Sequence, residues 1–227
     1  MLLGMLDMSA AFDTVDHDIL LKRHHMLFGI CRALSWISSF VRRRKQTVAV
    51  NGKMSETSLV TCSVPWGSAL GPILFLLYTA DMARIVKMHG MNFHSYADDS
   101  ELYLHTKADD IALTLPRAVS CIDAIDGWMS LNHLKLNSDK TQFVVIGSRP
   151  QLSKVKCDSI RLSGLDIPFL QKVTCLGVIL DTELLMEQYV RGVTSCCFNQ
   201  LRQIRAIRKS MTAETSKLLV HALLTLD

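Results

Sequence analysis

Apolar and polar positions at the start of the chain predict a buried strand followed by two helices. Residues 2–7, LLGMLD, form a short apolar run that ends on an acid, which is typical of a buried strand. From residue 14 to 45, apolar side chains recur near helical spacing. Asp16 is a suitable N-cap for this segment, and Gly29 is expected to divide it into two helices.

Two hairpins and two helices are predicted between residues 46 and 134. Strand-like alternation on each side of Asn51-Gly52 marks the first hairpin, because this dipeptide favours the turn that joins antiparallel strands. A loop then leads into a long helix that begins around residues 68–71, since Pro72 is tolerated only in a first turn. Residues 94–104, HSYADDSELYL, predict the second hairpin, and a helix is expected over about 109–134.

The last part of the chain predicts more strands and a helical tail. TQFVVIG, residues 141–147, suits a strand, and residues 159–181 suit two or three more that turn at Gly164 and Pro168. Residues 183–226 have helical spacing. No linker, repeat or low-complexity segment interrupts this order, which predicts one continuous α+β domain over 1–182 with a helical appendage over 183–227.

Composition narrows the class of protein without identifying it. Of the 227 residues, 49% are hydrophobic and the mean hydropathy is +0.22, which favours a packed core over disorder. The net charge of +4 and the pI near 8.7 are weak signs of nucleic-acid binding. Seven cysteines without a Cys-x-x-Cys pair predict neither a disulfide framework nor a zinc site, so we expect a reducing intracellular compartment and no disulfide-linked partner.

The apolar segments are too short for a membrane span. The longest run, ALGPILFLLYTA, falls short of the ~20 residues that a bilayer requires. The first residues, MLLGMLDMSAAF, lack a basic region and contain an acid at Asp7, unlike a signal peptide. We therefore expect a soluble protein that does not interact with membranes.

Three aspartates are the candidate catalytic and metal-binding residues. Asp7 closes the first strand, and Asp98 and Asp99 lie side by side within the second hairpin. An ordinary solvated turn is one explanation of the pair. If the two strands are neighbours in one antiparallel sheet, the three carboxylates converge and repel unless cations neutralise them. Two divalent ions about 3.5–4 Å apart would do so, and Mg²⁺ suits a few carboxylates completed by water and phosphate.

Five segments in order carry a resemblance to a known family. They are LDMSAAFDTVDHDILL, SVPWGSALGPILFLLYTADM, SYADDSELYL, LNHLKLNSDKTQFVVIG and VTCLGVILD. Together they resemble the palm motifs of reverse transcriptases from LINE-type, non-LTR retrotransposons of the jockey-like kind, over residues 5 to 225. The resemblance implies a polymerase palm over 1–182, with a central antiparallel sheet backed by helices and a primer-grip hairpin near 159–181. It also implies a partial helical thumb over 183–227, with the fingers missing.

The resemblance also implies a reaction. The family adds deoxynucleoside triphosphates to a DNA primer on an RNA template, using two Mg²⁺ ions, with Mn²⁺ as an alternative. Asp7 and Asp98 match the main metal ligands and Asp99 the supporting acid. Phe12 matches the bulky side chain that lies under the incoming sugar and excludes a 2′-hydroxyl, although a Phe after a strand is equally explained by core packing.

The remaining matches have ordinary alternatives. Gly67 and Ser68 match a loop that approaches the nucleotide and template, but Ser68 is also a suitable helix cap. Lys140 matches a lysine that assists the leaving pyrophosphate, or is a solvated surface residue. Leu176 and Gly177 match the hairpin that grips the primer end, or belong to a core strand.

A stripe of arginines on the predicted last helices has two explanations. Arg202, Arg205 and Arg208 lie one residue, about 100°, from an apolar stripe formed by Leu201, Ile204 and Ile207. This spacing suits a thumb helix that lays arginines along a phosphate backbone while its apolar side packs inward. A solvated helix face is the ordinary explanation.

Three departures from the family lower the expected activity. No finger region precedes the first motif, Trp66 occupies the place of a glutamine, and the chain ends within the thumb. We therefore expect weak or no polymerase activity from this chain alone. The alternatives are a non-catalytic nucleic-acid-binding remnant, a different two-metal nucleotidyl enzyme such as a cyclase, which needs no template, and a degraded product that does not fold stably.

Overall fold

The computed structural model describes residues 1–65, 67–162 and 164–225. The strands in chain order are Leu2–Leu6 (β1), Arg44–Gln46 (β2), Ala49–Val50 (β3), Lys53–Met54 (β4), Ser58–Val60 (β5), Asn92–Tyr96 (β6), Asp99–Leu104 (β7), Gln142–Val145 (β8), Ser159–Leu162 (β9), Leu165–Pro168 (β10), Lys172–Cys175 (β11) and Val178–Asp181 (β12). The helices are His17–Phe28 (α1), Leu34–Val41 (α2), Gly71–Thr79 (α3), Asp81–Met88 (α4), Ile111–Leu131 (α5), Arg149–Leu152 (α6), Glu187–Ile207 (α7) and Ala213–Thr225 (α8). The chain is therefore a mixture of helix and sheet.

The central feature is a four-stranded antiparallel sheet in the order β6-β7-β1-β8. Strand β1 pairs on one side with β7, where Leu6 lies opposite Ser100, and on the other side with β8, where Leu2 lies opposite Val145. Strands β6 and β7 form a hairpin closed by a two-residue turn, with Tyr96 opposite Asp99. The first strand and the acidic hairpin are thus neighbours in one sheet, as the convergence of the acids requires.

The two faces of the sheet belong to two cores. On one face, Leu2, Leu6 and Phe143 join the larger core with residues of the helices, such as Phe75 and Ile125. On the other face, a smaller core contains one residue each from β1, β8 and β11, together with Ile146: Leu3, Val144, Ile146 and Val173. The alternation follows the period of two in a strand. The second face is covered by the β11–β12 hairpin rather than by helices.

Local signals in the sequence set the observed helix ends. The Asp16 side chain accepts hydrogen bonds from the backbone N–H groups of Asp18 and Ile19, and Gly29 ends α1 in a left-handed conformation. Helix α3 begins at Gly71 with Pro72 in its first turn. The turn at Asn51-Gly52 joins β3 to β4, with both residues at positive φ. These four predictions are confirmed.

The predicted long helix after Pro72 is wrong in one respect, because it is divided at Ala80 into α3 and α4. Thr79 precedes this point, and its hydroxyl donates to the Phe75 carbonyl. Such a bond competes with the helical ladder and bends helices. Residues 159–181 were predicted to form two or three strands, but the structure has four, β9 to β12. Pro168, predicted at a turn, lies at the end of β10.

A largely buried arginine joins the helices behind the sheet. The Arg23 guanidinium contacts Asp81, with 3.3 Å between Nε and Oδ2, and donates to the Asn132 side chain at 2.8 Å. It also donates to the Tyr78 carbonyl and lies 5.2 Å and 5.3 Å from the ring centroids of Tyr78 and Trp128. Because one cation satisfies several groups, Arg23 fixes α1, α4 and α5 relative to one another.

The C-terminal helices differ from expectation. Of the two explanations of the arginine stripe, the one in which the apolar side of its helix packs inward is not met, because no residue of α7 is buried and Leu201 and Ile207 are 54% and 52% exposed. Arg208 lies in a 3-10 turn after α7, so the tail is not one continuous helix. No helix among the described residues is both long and apolar enough to span a bilayer.

Candidate active site

Two of the predicted acids line one cavity at the end of the sheet. Strand β1 ends just before Asp7 and β7 begins at Asp99, so both residues lie at the same edge. The cavity measures about 220 Å³. Its lining consists of residues from β1, β7, β11 and the start of β8 with the turns beside them: Met5, Leu6, Asp7, Asp99, Ser100, Glu101, Lys140, Gln142 and Thr174. Lys140 supplies the one cationic side chain of this lining.

The acids interact electrostatically. Leu6 pairs with Ser100, so Asp7 and Asp99 are the next residues outward on the two strands. Partial burial raises the pKa of Asp99, and the negative charges of Asp98, Glu101 and Asp7 raise it further. The contribution of the neighbouring carboxylates to this shift reflects a negative potential, which favours a cation at this place. Ala97 and Asp98 form the two-residue turn between β6 and β7, and Asp98 is half-buried.

The carboxylate oxygens at the cavity suit a hard divalent ion that is held by few protein ligands. No group of three His, Cys, Asp or Glu side chains in residues 1–65, 67–162 and 164–225 is arranged to hold a metal. Mg²⁺ commonly uses one or two carboxylates and completes its octahedron with water and substrate phosphates. Asp7 and Asp99 at one cavity fit that pattern. A site in which all three aspartates bind metal stays a prediction.

Asn137 holds Asp7 and was missed by the sequence analysis. Its side-chain nitrogen donates to the Asp7 carboxylate, with 2.9 Å between Nδ2 and Oδ2. Its backbone N–H donates to the Asp7 carbonyl, also at 2.9 Å. The two residues are 130 positions apart, so spacing along the chain gives no sign of the contact. The signal available was its place in the LNSDKT segment that carries Lys140.

A second missed contact ties the β11–β12 hairpin to the acidic strand. The Cys175 thiol donates to the Glu101 carboxylate, with 2.6 Å between Sγ and Oε1. Burial, this hydrogen bond and the charges of Glu101 and Asp99 raise the pKa of Cys175 to about 12. The thiol therefore stays protonated and continues to act as a donor.

Three of the predicted nucleotide-binding residues, Phe12, Gly67 and Ser68, do not line the cavity, whereas Lys140 does. Phe12 is half-buried, packs against the larger core and contacts Phe75 in a tilted arrangement, with 5.1 Å between ring centroids and 40° between the ring planes. Gly67 has a φ of 69° with open space around its Cα, so conformation alone favours glycine there. The Ser68 hydroxyl accepts from the Gly71 N–H at 3.0 Å and donates to the Pro65 carbonyl at 2.7 Å. The Ser68 hydroxyl thus satisfies the first N–H of α3, but the N-cap position of this helix is occupied by Leu70, without a side-chain cap. Trp66 lies outside the described residues.

The predicted nucleic-acid contacts are exposed but separate from the cavity lining. Leu176 and Gly177 form the turn between β11 and β12, with φ values of 46° and 81°, and Leu176 is 48% exposed. Arg202 and Arg205 are exposed on α7, and Arg208 is exposed in the turn that follows. The structure therefore brings together Asp7, Asp99 and Lys140 at one cavity but not these residues.

Comparison with known sequences gives one family. Residues 2–180 match the family model described as "Reverse transcriptase (RNA-dependent DNA polymerase)". The chain is 30% identical over 228 residues to the "Probable RNA-directed DNA polymerase from transposon BS" of Drosophila melanogaster, covering 95% of this chain and 24% of that protein. It is 28% identical over 195 residues to the "RNA-directed DNA polymerase from mobile element jockey" of the same species, covering 84% and 20%. The chain thus spans about a quarter or less of each relative.

Solved structures show a similar fold at low sequence identity. An apo telomerase of Candida tropicalis matches with a TM-score of 0.53 and 12% identity, covering 82% of this chain and 32% of the other. A form truncated from its C-terminal domain matches with a TM-score of 0.50 and 15% identity, covering 79% and 35%. At this identity the likeness concerns the fold alone, and it agrees with a polymerase-like arrangement of helices and sheet.

Proposed function

Since this chain belongs to the reverse transcriptase family of LINE-type, non-LTR retrotransposons, we propose that it is the catalytic segment of an RNA-directed DNA polymerase. The observation that carries the proposal is the shared cavity of Asp7, Asp99 and Lys140. In this proposal residues 1–182 form the palm and residues 183–227 form part of the thumb. The proposed substrates are an RNA template, a DNA primer and deoxynucleoside triphosphates.

The proposed chemistry assigns each charged residue a task. Asp7 and Asp98, supported by Asp99, would hold two Mg²⁺ ions, which would supply Lewis-acid stabilisation of the primer hydroxyl and of the leaving group. The primer 3′-hydroxyl attacks the α-phosphorus, the bond to the bridging oxygen breaks and pyrophosphate leaves. Lys140 lies on the cavity wall, where its ammonium group can pair with the pyrophosphate.

The remaining family matches complete the proposed substrate site. Phe12 limits the space at the sugar 2′ position, and Gly67 lets a loop approach the nucleotide. The Leu176-Gly177 turn contacts the primer, and Arg202, Arg205 and Arg208 bind phosphates of the duplex. The exposure of this turn and of the three arginines supports their assignment, because a nucleic acid has access to them.

Primer extension tests the polymerase proposal. The chain is incubated with a DNA primer on an RNA template, labelled deoxynucleotides and Mg²⁺. We expect low incorporation, because most of the catalytic power in phosphoryl transfer comes from positioning, and we expect Asp7→Ala and Asp98→Ala to abolish it. Asp109→Ala, an exposed acid in the turn before α5, is the matched control and should retain the activity. Incorporation that survives Asp7→Ala would refute the proposal.

A second candidate function is nucleic-acid binding without catalysis. It is favoured by the exposed arginines of α7, which do not depend on the cavity. Filter binding to RNA over a range of salt concentrations, alongside the extension assay, separates the two. Binding that weakens steeply with salt and is lost when Arg202 and Arg205 are replaced by Gln, with no incorporation at any concentration, supports the binding function instead.

A further inference from the structure

Asn137 lies in a short segment that is joined to the residues after β1. The Ser9 N–H donates to the Lys135 carbonyl, the Asn137 N–H donates to the Asp7 carbonyl, and between these bonds Met8 and Leu136 form an isolated antiparallel bridge. Met8 and Leu136 are both buried in the larger core. The backbone of this segment is therefore fixed beside Asp7 by two hydrogen bonds and an apolar anchor.

The Asn137 side chain controls the orientation of the Asp7 carboxylate. The amide nitrogen is the group that faces Oδ2, because an amide oxygen in that position would face a carboxylate without a proton to share. Among the described residues Asn137 is the side-chain donor to Oδ2, and no donor to Oδ1 is present. One oxygen of Asp7 is thus tied to the protein while the other is left for a ligand.

The same residue also begins the turn that leads to Lys140. The Asn137 carbonyl accepts hydrogen bonds from the backbone N–H groups of Lys140, at 3.2 Å, and Thr141, at 3.0 Å. It also accepts one from the Thr141 hydroxyl at 2.8 Å. Asn137 therefore contacts Asp7 through its side chain and N–H, and sets the path of the chain toward Lys140 through its carbonyl.

We propose that Asn137 is a positioning residue of the metal site: its amide fixes one oxygen of Asp7 so that the other carboxylate oxygen is available to a cation in the cavity. This inference rests on the proposed function, since Asp7 is a metal ligand only within it. Groups that orient a metal ligand commonly affect metal affinity by about 10–100-fold when they are removed. Asn137 is predicted to act in the same way, without itself binding the metal.

Binding of Mn²⁺ alone to the purified chain tests the inference without requiring polymerase activity. The electron paramagnetic resonance signal of free Mn²⁺ gives the apparent dissociation constant. We expect Asn137→Ala to weaken binding about tenfold and Asp7→Ala to abolish it at this site. Thr141→Val is the matched control, because it removes one hydrogen bond to the Asn137 carbonyl and leaves the amide in place. It should bind within about twofold of the unchanged chain, as expected for a site whose oriented ligand is untouched.

The possible results distinguish a failure of the positioning role of Asn137 from a failure of the proposed polymerase function. If Asp7→Ala abolishes binding but Asn137→Ala binds as tightly as the unchanged chain, the positioning role is refuted and the metal site stands. If the unchanged chain does not bind Mn²⁺, or binding is insensitive to Asp7→Ala, both fail. Thermal melting of each variant excludes general unfolding as the cause. Should Asn137→Ala fail to fold, Asn137→Ser, which also removes the amide, is judged by the same affinities.

Discussion

The tight contact between Gly4 and Phe143 gives a prediction that needs no substrate. Gly4 lies in β1, in the middle of the sheet, opposite Leu102 on one side and Phe143 on the other. A Cβ added at Gly4 would lie 2.5 Å from Phe143 Cε1 and 2.9 Å from Cδ1. These distances are about 1 Å shorter than an ordinary carbon–carbon contact of ~3.5–4.0 Å. The Phe143 ring is 2% exposed and packed on all sides, so it has no open space into which to move.

The expected cost follows from two opposing effects. Overpacking a well-filled core costs about 1–3 kcal/mol. Replacing a glycine within a strand also removes about 0.5–1 kcal/mol of backbone entropy cost, which favours alanine. Because two ring atoms lie within 3.0 Å of the added Cβ, the upper part of the overpacking range, about 2–3 kcal/mol, applies. We therefore expect Gly4→Ala to lower the free energy of unfolding by about 1–2.5 kcal/mol, which for a chain of this size corresponds to a melting temperature lower by roughly 2–10 °C.

Thermal and urea unfolding, followed by circular dichroism, measure this change. Gly127→Ala is the matched control: Gly127 lies in α5 with open space around it, so alanine should stabilise the chain by about 0.5–1 kcal/mol. Phe143→Leu removes the ring edge, so the double variant with Gly4→Ala should lose at least about 0.5 kcal/mol less than the sum of the single variants. If Gly4→Ala is as stable as the unchanged chain, or the two changes are additive, the packing argument is wrong.

Three further predictions concern charge and burial. Asp99→Asn should stabilise the chain by about 0.5 kcal/mol at neutral pH, because it removes a partly screened repulsion between carboxylates. Since the pKa of Asp99 is raised, this gain in stability should disappear in melting curves as the pH falls through that pKa. Arg23→Met should lower the free energy of unfolding in urea by about 3 kcal/mol, because it leaves the polar partners of Arg23 unsatisfied. The control Arg161→Met, which removes an exposed ion pair, should change it by less than about 0.5 kcal/mol. In the folded chain at pH 8, iodoacetamide should label the exposed Cys196 far faster than Cys175, whose pKa of about 12 keeps the thiol protonated; equal labelling by mass spectrometry would contradict this.

The sequence predicts those features whose causes are local. Asp16 caps a helix through the two N–H groups that follow it, and Gly29 ends the helix through its own conformation. Asn51 and Gly52 close a hairpin because both adopt positive φ. In each case the residues that determine the structure are within a few positions of one another, so a single sequence contains the information.

Contacts between distant segments were not predictable in the same way. The polar partners of Arg23 include Asn132, 109 residues away, and the donor to Asp7 is Asn137, 130 residues away. The apolar stripe of α7 shows that local spacing can predict a helix without predicting what packs against it. Its spacing correctly indicates a helix with one apolar side, but Leu201 remains exposed because nothing in the spacing determines whether another element covers that side.

The position of Asp7 is determined by the core rather than by the acids. Side chains of β1 alternate between the two faces: Leu2 and Leu6 enter the larger core, while Leu3 packs in the smaller one beneath the β11–β12 hairpin. Asp7 follows in the same alternation on the side of Leu3. A shift of the strand by one residue would turn Asp7 toward the helices and move Leu2 and Leu6 out of the larger core, at up to about 1.5–3 kcal/mol for each side chain that loses its burial. That penalty is independent of the carboxylate, so Asp7 is held at the cavity even though its own charge is repelled there. Substituting the acid should therefore remove metal binding while leaving the register of the sheet unchanged, which makes the aspartate variants clean tests of function.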